Sequence, residues 1–201
     1  RTLAKKAFAH TAFYDKAIAD YFSGSQNLTL SFEKISDLRY GENPHQQAAW
    51  YKEPGFAGLG IVNAEILHGK DLSFNNVLDA DAALVLIKEF SEPAAVVIKH
   101  TNPCGCALAD DITEAFTKAY AADTLSAFGG IIVINRPCNV KIAEEINKVF
   151  AEMVIAPEFD EKALVILKQK KNIRLLKIKM TADKKTERQK DYKKIVGGML
   201  E

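Results

Sequence analysis

Neither sign of charge is in excess: 27 Lys+Arg stand against 26 Asp+Glu in 201 residues, a formal net charge of +1. That balance gives no broad electrostatic footprint for nucleic acid or an acidic membrane, although the stretch from Lys168 to Lys194 is locally basic. Long apolar runs are missing too, and nothing approaches the roughly 18 to 20 residues of a membrane-spanning helix. The first residues show no apolar h-region or cleavage site of a signal peptide, so a cytoplasmic location is expected. Cysteine is scarce. Cys104, Cys106 and Cys138 are an odd set, two of them one residue apart, which argues against a disulfide framework and fits a reducing compartment. There is no initiator methionine: the sequence opens at Arg1 in a helical pattern and closes on Gly197-Gly198-Met199-Leu200-Glu201 after a strand-like run, as expected of a piece of a longer protein. What remains is an ordinary globular composition, 48% hydrophobic and 26% charged, sufficient for one large domain or a domain and part of another.

From Thr2 to Phe22 the apolar residues Leu3, Ala7, Phe8, Ala12, Phe13, Ala17, Ile18 and Phe22 recur at helical spacing, predicting one amphipathic helix or two short ones. Ser23-Gly24-Ser25-Gln26-Asn27 breaks the pattern and sets a boundary near residue 24. Residues 39 to 72 are rich in Gly, Pro and Asn, with short β-like runs at Ala48 to Tyr51 and Ile61 to Ile66, and read as irregular chain over a surface. Beyond residue 73 the signal becomes regular. Asn75 or Asn76 can cap a helix through Phe90, followed by a strand over Ala94 to Ile98, a helix over Asp111 to Ala122 and a strand over Gly130 to Ile134. A helix over Val140 to Ala151, a strand over Met153 to Ala156, a helix over Phe159 to Lys170 and a strand over Ile173 to Ile178 complete the alternation. This predicts an α/β architecture, a sheet covered by helices on both faces. Thr181 to Lys194 is expected to be an exposed polar loop.

Chemistry concentrates at Val96-Val97-Ile98-Lys99-His100-Thr101-Asn102-Pro103-Cys104-Gly105. A buried strand ends with two titratable side chains at its carboxyl end, where open α/β sheets place their ligand crevice. Lys99 and His100 reach one site only if the chain turns there, and Asn102-Pro103 and Gly105 are suitable turn residues. A neighbouring cation favours a neutral imidazole able to act as base, and the ammonium can stabilise developing negative charge, a pairing suited to acyl transfer to a weak amine. On spacing alone, a solvated lysine and a structural histidine describe the pair equally well. Arg39 and Tyr40, before Gly41 and the Asn43-Pro44 turn, offer a guanidinium fork and a phenol suited to phosphate. As an isolated signal, a surface arginine paired with Glu42 and a half-buried tyrosine describe them better. Asp123 to Gly130 has small residues and paired glycines that let a ligand approach backbone N–H groups, or that simply make a tight connection. Asn76 and Glu152, at the start of one helix and the end of another, are ambiguous by themselves.

Cys104-Gly105-Cys106 with His100 upstream resembles half of a zinc site. Zinc hydrolases acting on nucleobases pair Pro-Cys-x-x-Cys with a His-x-Glu or Cys-x-Glu motif, which this sequence does not contain. The thiols are expected to pack as small hydrophobes, with no metal bound.

Taken together, LAKKAFAHTAFYDKAIADYF, LRYGENPHQ, LSFNNVLDADAAL, VIKHTNPCG, DTLSAFGGIIVIN and VIAPEFDEKAL resemble, in order, one family: the bifunctional purine-biosynthesis proteins that join AICAR formyltransferase to IMP cyclohydrolase. The resemblance implies that residues 1–24 are the tail of the cyclohydrolase domain with its connecting helix. It implies that residues 25–201 are the N-terminal half of the formyltransferase domain, a three-layer α/β/α fold like that of cytidine deaminase but without zinc. The implied reaction moves a formyl group from 10-formyltetrahydrofolate to the 5-amino group of AICAR. By motif, His100 would take the amino proton and Lys99 would assist at the tetrahedral centre. Arg39 and Tyr40 would hold the phosphate end, Asn76 would contact the nucleotide, and Glu152 would meet the ribose hydroxyls. The implied partners are AICAR, a reduced folate and a second copy of the chain, with neither nucleic acid nor membrane. Much of the folate pocket and the cyclohydrolase residues would lie outside this sequence. A non-catalytic nucleotide-binding or assembly fragment is the alternative reading.

Overall fold

The computed structural model describes residues 1–24, 28–180 and 190–201. Helix α1 (Thr2–Ser23) precedes an antiparallel pair, β1 (Glu33–Leu38) and β2 (Ala48–Lys52). A 3-10 turn at Ile61–Asn63 leads to β3 (Glu65–His68) and helix α2 (Phe74–Ile87). The hairpin of β4 (Ala94–Lys99) and β5 (Asn102–Leu108) follows, then α3 (Ile112–Ala122), the single turn α4 (Thr124–Ala127) and β6 (Gly130–Ile134). Alternation continues through α5 (Val140–Asn147), β7 (Ala151–Ala156), α6 (Glu161–Leu167) and β8 (Arg174–Lys177), and a short hairpin joins β9 (Lys193–Ile195) to β10 (Gly198–Leu200).

Six strands form one sheet in the order β3-β8-β7-β6-β4-β5. Strands β6, β7 and β8 are parallel, whereas β4 runs antiparallel to β6 and β5, and β3 antiparallel to β8. The expected α/β sheet with helices on both faces is present, and it is mixed. Because successive side chains of a strand point to opposite faces, each central strand serves two cores. Ala95, Val97, Ile132, Ile134, Val154 and Leu175 pack with Phe116 of α3, Ile142 and Ile146 of α5 and Leu167 of α6. Val96, Ile98, Ile131, Val133, Ile155 and Leu176 pack with Ala80, Ala83, Leu84 and Ile87 of α2. Burying an aliphatic side chain of this size stabilises the fold by roughly 1.5–3 kcal/mol, so these near-continuous apolar strands fix the sheet as a two-sided layer.

Helix α1 forms as its periodicity predicts and stops where Gly24 adopts a left-handed conformation, φ 62°. None of its residues is buried, and Leu3, Phe8, Phe13 and Phe22 project into solvent.

Several expectations are corrected. Ser73, not Asn75 or Asn76, caps α2: its hydroxyl accepts from the Asn76 N–H while the Asn76 side chain accepts from the Ser73 N–H, a reciprocal capping box with Asn76 one turn inside the helix. The helix expected to reach Ala151 ends at Asn147, and Glu152 lies on β7 rather than at a helix end. In Ala151-Glu152-Met153 the glutamate is exposed between two buried apolar residues, a strand alternation that outweighs helical propensity. Asn102 and Pro103 belong to strand β5, and the turn falls one step earlier, at His100 and Thr101. Pro103 is tolerated because β5 is an edge strand. The polar stretch expected to loop out from 181 falls largely on 181–189, outside the described residues; its last two positions, Lys193 and Lys194, are in β9.

Candidate functional site

The antiparallel placement of β4 decides where chemistry can gather. The carboxyl end of β4 lies beside the amino ends of β6 and β7, since Ile98 pairs with Ile131 and Gly130 with Ala151. Arg174, at the amino end of β8, pairs with Met153. Lys99, Gly130, Glu152 and Arg174 therefore line up along one end of the sheet. The crevice is at the carboxyl end of β4 only, not at the carboxyl ends of the parallel strands.

Strands β4 and β5 are joined by a two-residue loop in which both residues are left-handed, His100 at φ 54° and Thr101 at φ 61°. This is the turn whose twist suits a hairpin, but Asn-Gly usually supplies it. A left-handed non-glycine residue costs roughly 1–2 kcal/mol, and more strain attends a β-branched one such as Thr101. Such strain persists only where its surroundings enforce it. Here Asp79 of α2 does so, accepting from the His100 N–H at 3.2 Å and the Thr101 N–H at 2.7 Å. The Asn102 amide donates to the His100 carbonyl at 2.8 Å, closing the loop from the other side. Asp79 is a site residue that the sequence did not single out.

This turn opens on a cavity of about 380 Å³ lined by Lys99, His100, Asn102, Cys104, Asp123 and Ser126. Lys99 is half-buried, and its ammonium donates to the Phe128 carbonyl at 2.8 Å, so its charge is held beside the Asp123 to Gly130 connection. Asp123 caps α4 by accepting from the Ser126 N–H, and the Ser126 side chain first, then that backbone bond, pull its carboxyl below the ordinary range. Burial, reinforced by the Asp123 charge, pushes the Cys104 thiol up, leaving a neutral thiol in the cavity wall. No group of three or more metal-ligating side chains occurs among the described residues.

A second cavity, of about 620 Å³, includes Arg39, Tyr40, Asn147, Phe150, Glu152 and Arg174 in its lining, with Lys70, Lys148, Lys170 and Lys171 adding positive charge. Arg39 stacks over the Tyr40 ring, 5.3 Å from its centroid. Asn76, buried on α2, donates through its side-chain nitrogen to Glu152 at 3.0 Å. Arg174, also buried, approaches the same Glu152 oxygen at 3.6 Å and donates through Nε and a terminal nitrogen to the Asp71 carbonyl. Burial pulls the Arg174 pKa down, the Glu152 charge opposes that, and the like charge of Arg39 adds to it. A guanidinium so placed has a standing demand for anionic company. Arg174 is a second residue that the sequence left unmarked.

The structure thus brings Arg39, Tyr40 and Glu152 to one cavity, with Asn76 bonded to its Glu152, and Lys99 with His100 to another. The two are neighbours. Strands β4 and β7 are separated only by β6, so two strand spacings of about 4.8 Å separate the strand that carries Lys99 from the one that carries Glu152. Between them the rings of Phe128 and Phe150 stack at a 4.9 Å centroid distance, both half-exposed, and the Gly129 N–H donates to the Phe150 carbonyl. Helix α2 serves both: Asn76 bonds to Glu152 and Asp79, one turn on, holds the His100 turn.

The sequence profile of the AICARFT/IMPCHase bienzyme family matches residues 1–201. The chain is 52% identical over 204 residues to the bifunctional purine biosynthesis protein PurH of Thermoanaerobacter sp. (strain X514), covering 98% of this chain and 39% of that protein. PurH of Acetivibrio thermocellus is 53% identical over 206 residues, covering 98% of this chain and 40% of the relative, and that of Bacillus cereus (strain ATCC 14579) is 50% identical over 206 residues, covering 100% and 40%. The chain therefore spans about two-fifths of the length of these relatives. With this profile match across its whole length and half its residues shared with PurH proteins, the chain belongs to the AICARFT/IMPCHase bienzyme family.

Proposed function

We propose that this chain carries the nucleotide-binding and proton-transfer half of an AICAR formyltransferase site in purine biosynthesis. Residues 25–201 are read as the N-terminal half of the formyltransferase domain, a cytidine-deaminase-like α/β/α layer without zinc, and residues 1–24 as the end of the cyclohydrolase domain with its connecting helix. The observation that carries the reading is the His100–Thr101 turn, which faces Lys99 and His100 into one cavity beside a cationic cavity holding Arg39, Tyr40 and Glu152.

In this reading AICAR spans both cavities. Its phosphate meets Arg39 and Tyr40, its ribose hydroxyls meet Glu152, and Asn76 orients that glutamate through the bond they share. The planar base lies against the half-exposed phenyl rings of Phe128 and Phe150. The 5-amino nitrogen attacks the formyl carbon of 10-formyltetrahydrofolate while the His100 imidazole takes its proton. Lys99 stabilises the oxyanion of the tetrahedral centre. Collapse breaks the bond to N10 of the folate, which leaves with a proton, and formyl-AICAR results. A deactivated aromatic amine needs both a positioned base and an oxyanion partner, each worth about a hundredfold or more. Contacts to the folate are assigned to the remainder of the protein and to a second copy of the chain, an assembly that the exposed apolar side of α1 supports.

Assaying the two half-reactions separately in the whole gene product tests this. His100→Ala and Lys99→Ala are each expected to lower formyl transfer by at least about a hundredfold with cyclohydrolase activity near normal. Wild-type transfer rates in both variants would remove the assignment.

A further inference from the structure

The His100–Thr101 turn is built without the residues that usually supply such a turn. His100 and Thr101 are both left-handed, at φ 54° and 61°, with no glycine or asparagine at either position. Strand continuation would send Lys99 and His100 to opposite faces of the sheet. The geometry points to Asp79 as the positioning residue that prevents this: its two carboxylate oxygens accept from the consecutive N–H groups of His100 and Thr101, hold the turn, and so direct both side chains into one cavity. The inference rests on the formyl-transfer reading and adds a residue to it. Asp79 touches neither Lys99 nor the imidazole through these bonds. Its action is on the backbone.

Three features make the carboxylate suited to this. It is half-buried on α2, whose packing against β4 fixes the distance to the turn. It supplies two separate acceptors, Oδ2 at 3.2 Å from the His100 nitrogen and Oδ1 at 2.7 Å from the Thr101 nitrogen, where one acceptor would leave the other N–H unmatched. And it lies one turn from Asn76, whose side chain holds Glu152, so the same helix sets the base and the nucleotide contacts in one register.

The test is steady-state kinetics on the whole gene product with a rescue. Asp79→Ala is expected to lower kcat for formyl transfer by about tenfold to a hundredfold while the AICAR KM stays within about threefold, because binding groups remain and the reacting pair is misplaced. Adding Thr101→Gly should recover part of that loss, since glycine adopts positive φ without strain at one of the two left-handed positions. Thr101→Gly alone should leave transfer near wild type. Asp79→Asn keeps the volume but presents a donor where an acceptor is required, so it should show the same loss and the same rescue, and it decides the matter if Asp79→Ala does not fold. Wild-type kcat in the Asp79 variants, or a loss that Thr101→Gly does not recover, overturns the proposal. His100→Ala in the same assay separates the levels: full transfer without His100 would refute the underlying reading, whereas loss in His100→Ala with silent Asp79 variants would refute only the role of Asp79.

Discussion

At the scale of single residues, environment rather than identity sets the chemistry. The three cysteines illustrate it. Cys138 is fully buried in the core against α5, and burial, with the Asp160 charge behind it, pushes its thiol up to about 12. Cys106 is exposed on the edge strand. Alkylation of the native protein near pH 8, followed by mass spectrometry, should therefore modify Cys106 and leave Cys138 untouched until denaturant is added; equal labelling would contradict the burial. The same raised thiol has a consequence for stability. Between its ordinary value of 9.0 and about 12, the unfolded thiol ionises while the folded one keeps its proton, so its contribution is fully present below pH 9 and declines as pH rises through that window. As candidates, Arg39, Tyr40, Lys99 and His100 were readable in the sequence because their types sit beside turn residues. Asp79 and Arg174 were not. Asp79 acts on a backbone 22 positions away, and Arg174 on Glu152 and on a carbonyl 103 positions away, so nothing local marks either.

At the scale of elements, the strongly periodic segments were readable and the paired ones were not. β4, β6 and β7 announce themselves as buried β-branched runs. β5 contains Asn102-Pro103-Cys104-Gly105, the vocabulary of a turn, and becomes a strand only through its ladder with β4. Its glycine shows how closely the layers approach. A Cβ on Gly105 would lie 1.8 Å from the Ala119 carbonyl oxygen, so α3 packs its backbone directly on β5. Gly105→Ala must push α3 away and should cost about 1–3 kcal/mol. Chemical denaturation would register this as a lower midpoint, and an unchanged midpoint would mean that the helix does not sit that close. The capping box at Ser73 and Asn76 shows the same limit. The sequence places the start of α2 within a few residues, but which side chain caps it depends on the reciprocal bonds.

At the scale of the whole molecule, the mixed sheet explains why two motifs far apart in sequence come to the same end of one sheet. Were β4 parallel to β6, Lys99 and Glu152 would lie at opposite ends of the sheet. Reversing β4 brings them to the same end, two strand spacings apart. The chain spans about two-fifths of its relatives, and α1 buries none of its residues. Residues 1–201 purified alone are accordingly expected to self-associate through exposed apolar surface and to show no formyl transfer. Light scattering and a folate-dependent spectrophotometric assay on one sample check this, and a monomer with full transfer activity would contradict it. Whether a single nucleotide joins the two cavities is decided by a crystal structure of the whole gene product with AICAR bound. The phosphate is expected beside Arg39 and Tyr40 and the 5-amino nitrogen within hydrogen-bonding reach of His100. A nucleotide confined to either cavity, with its amine turned away from His100, would contradict that placement.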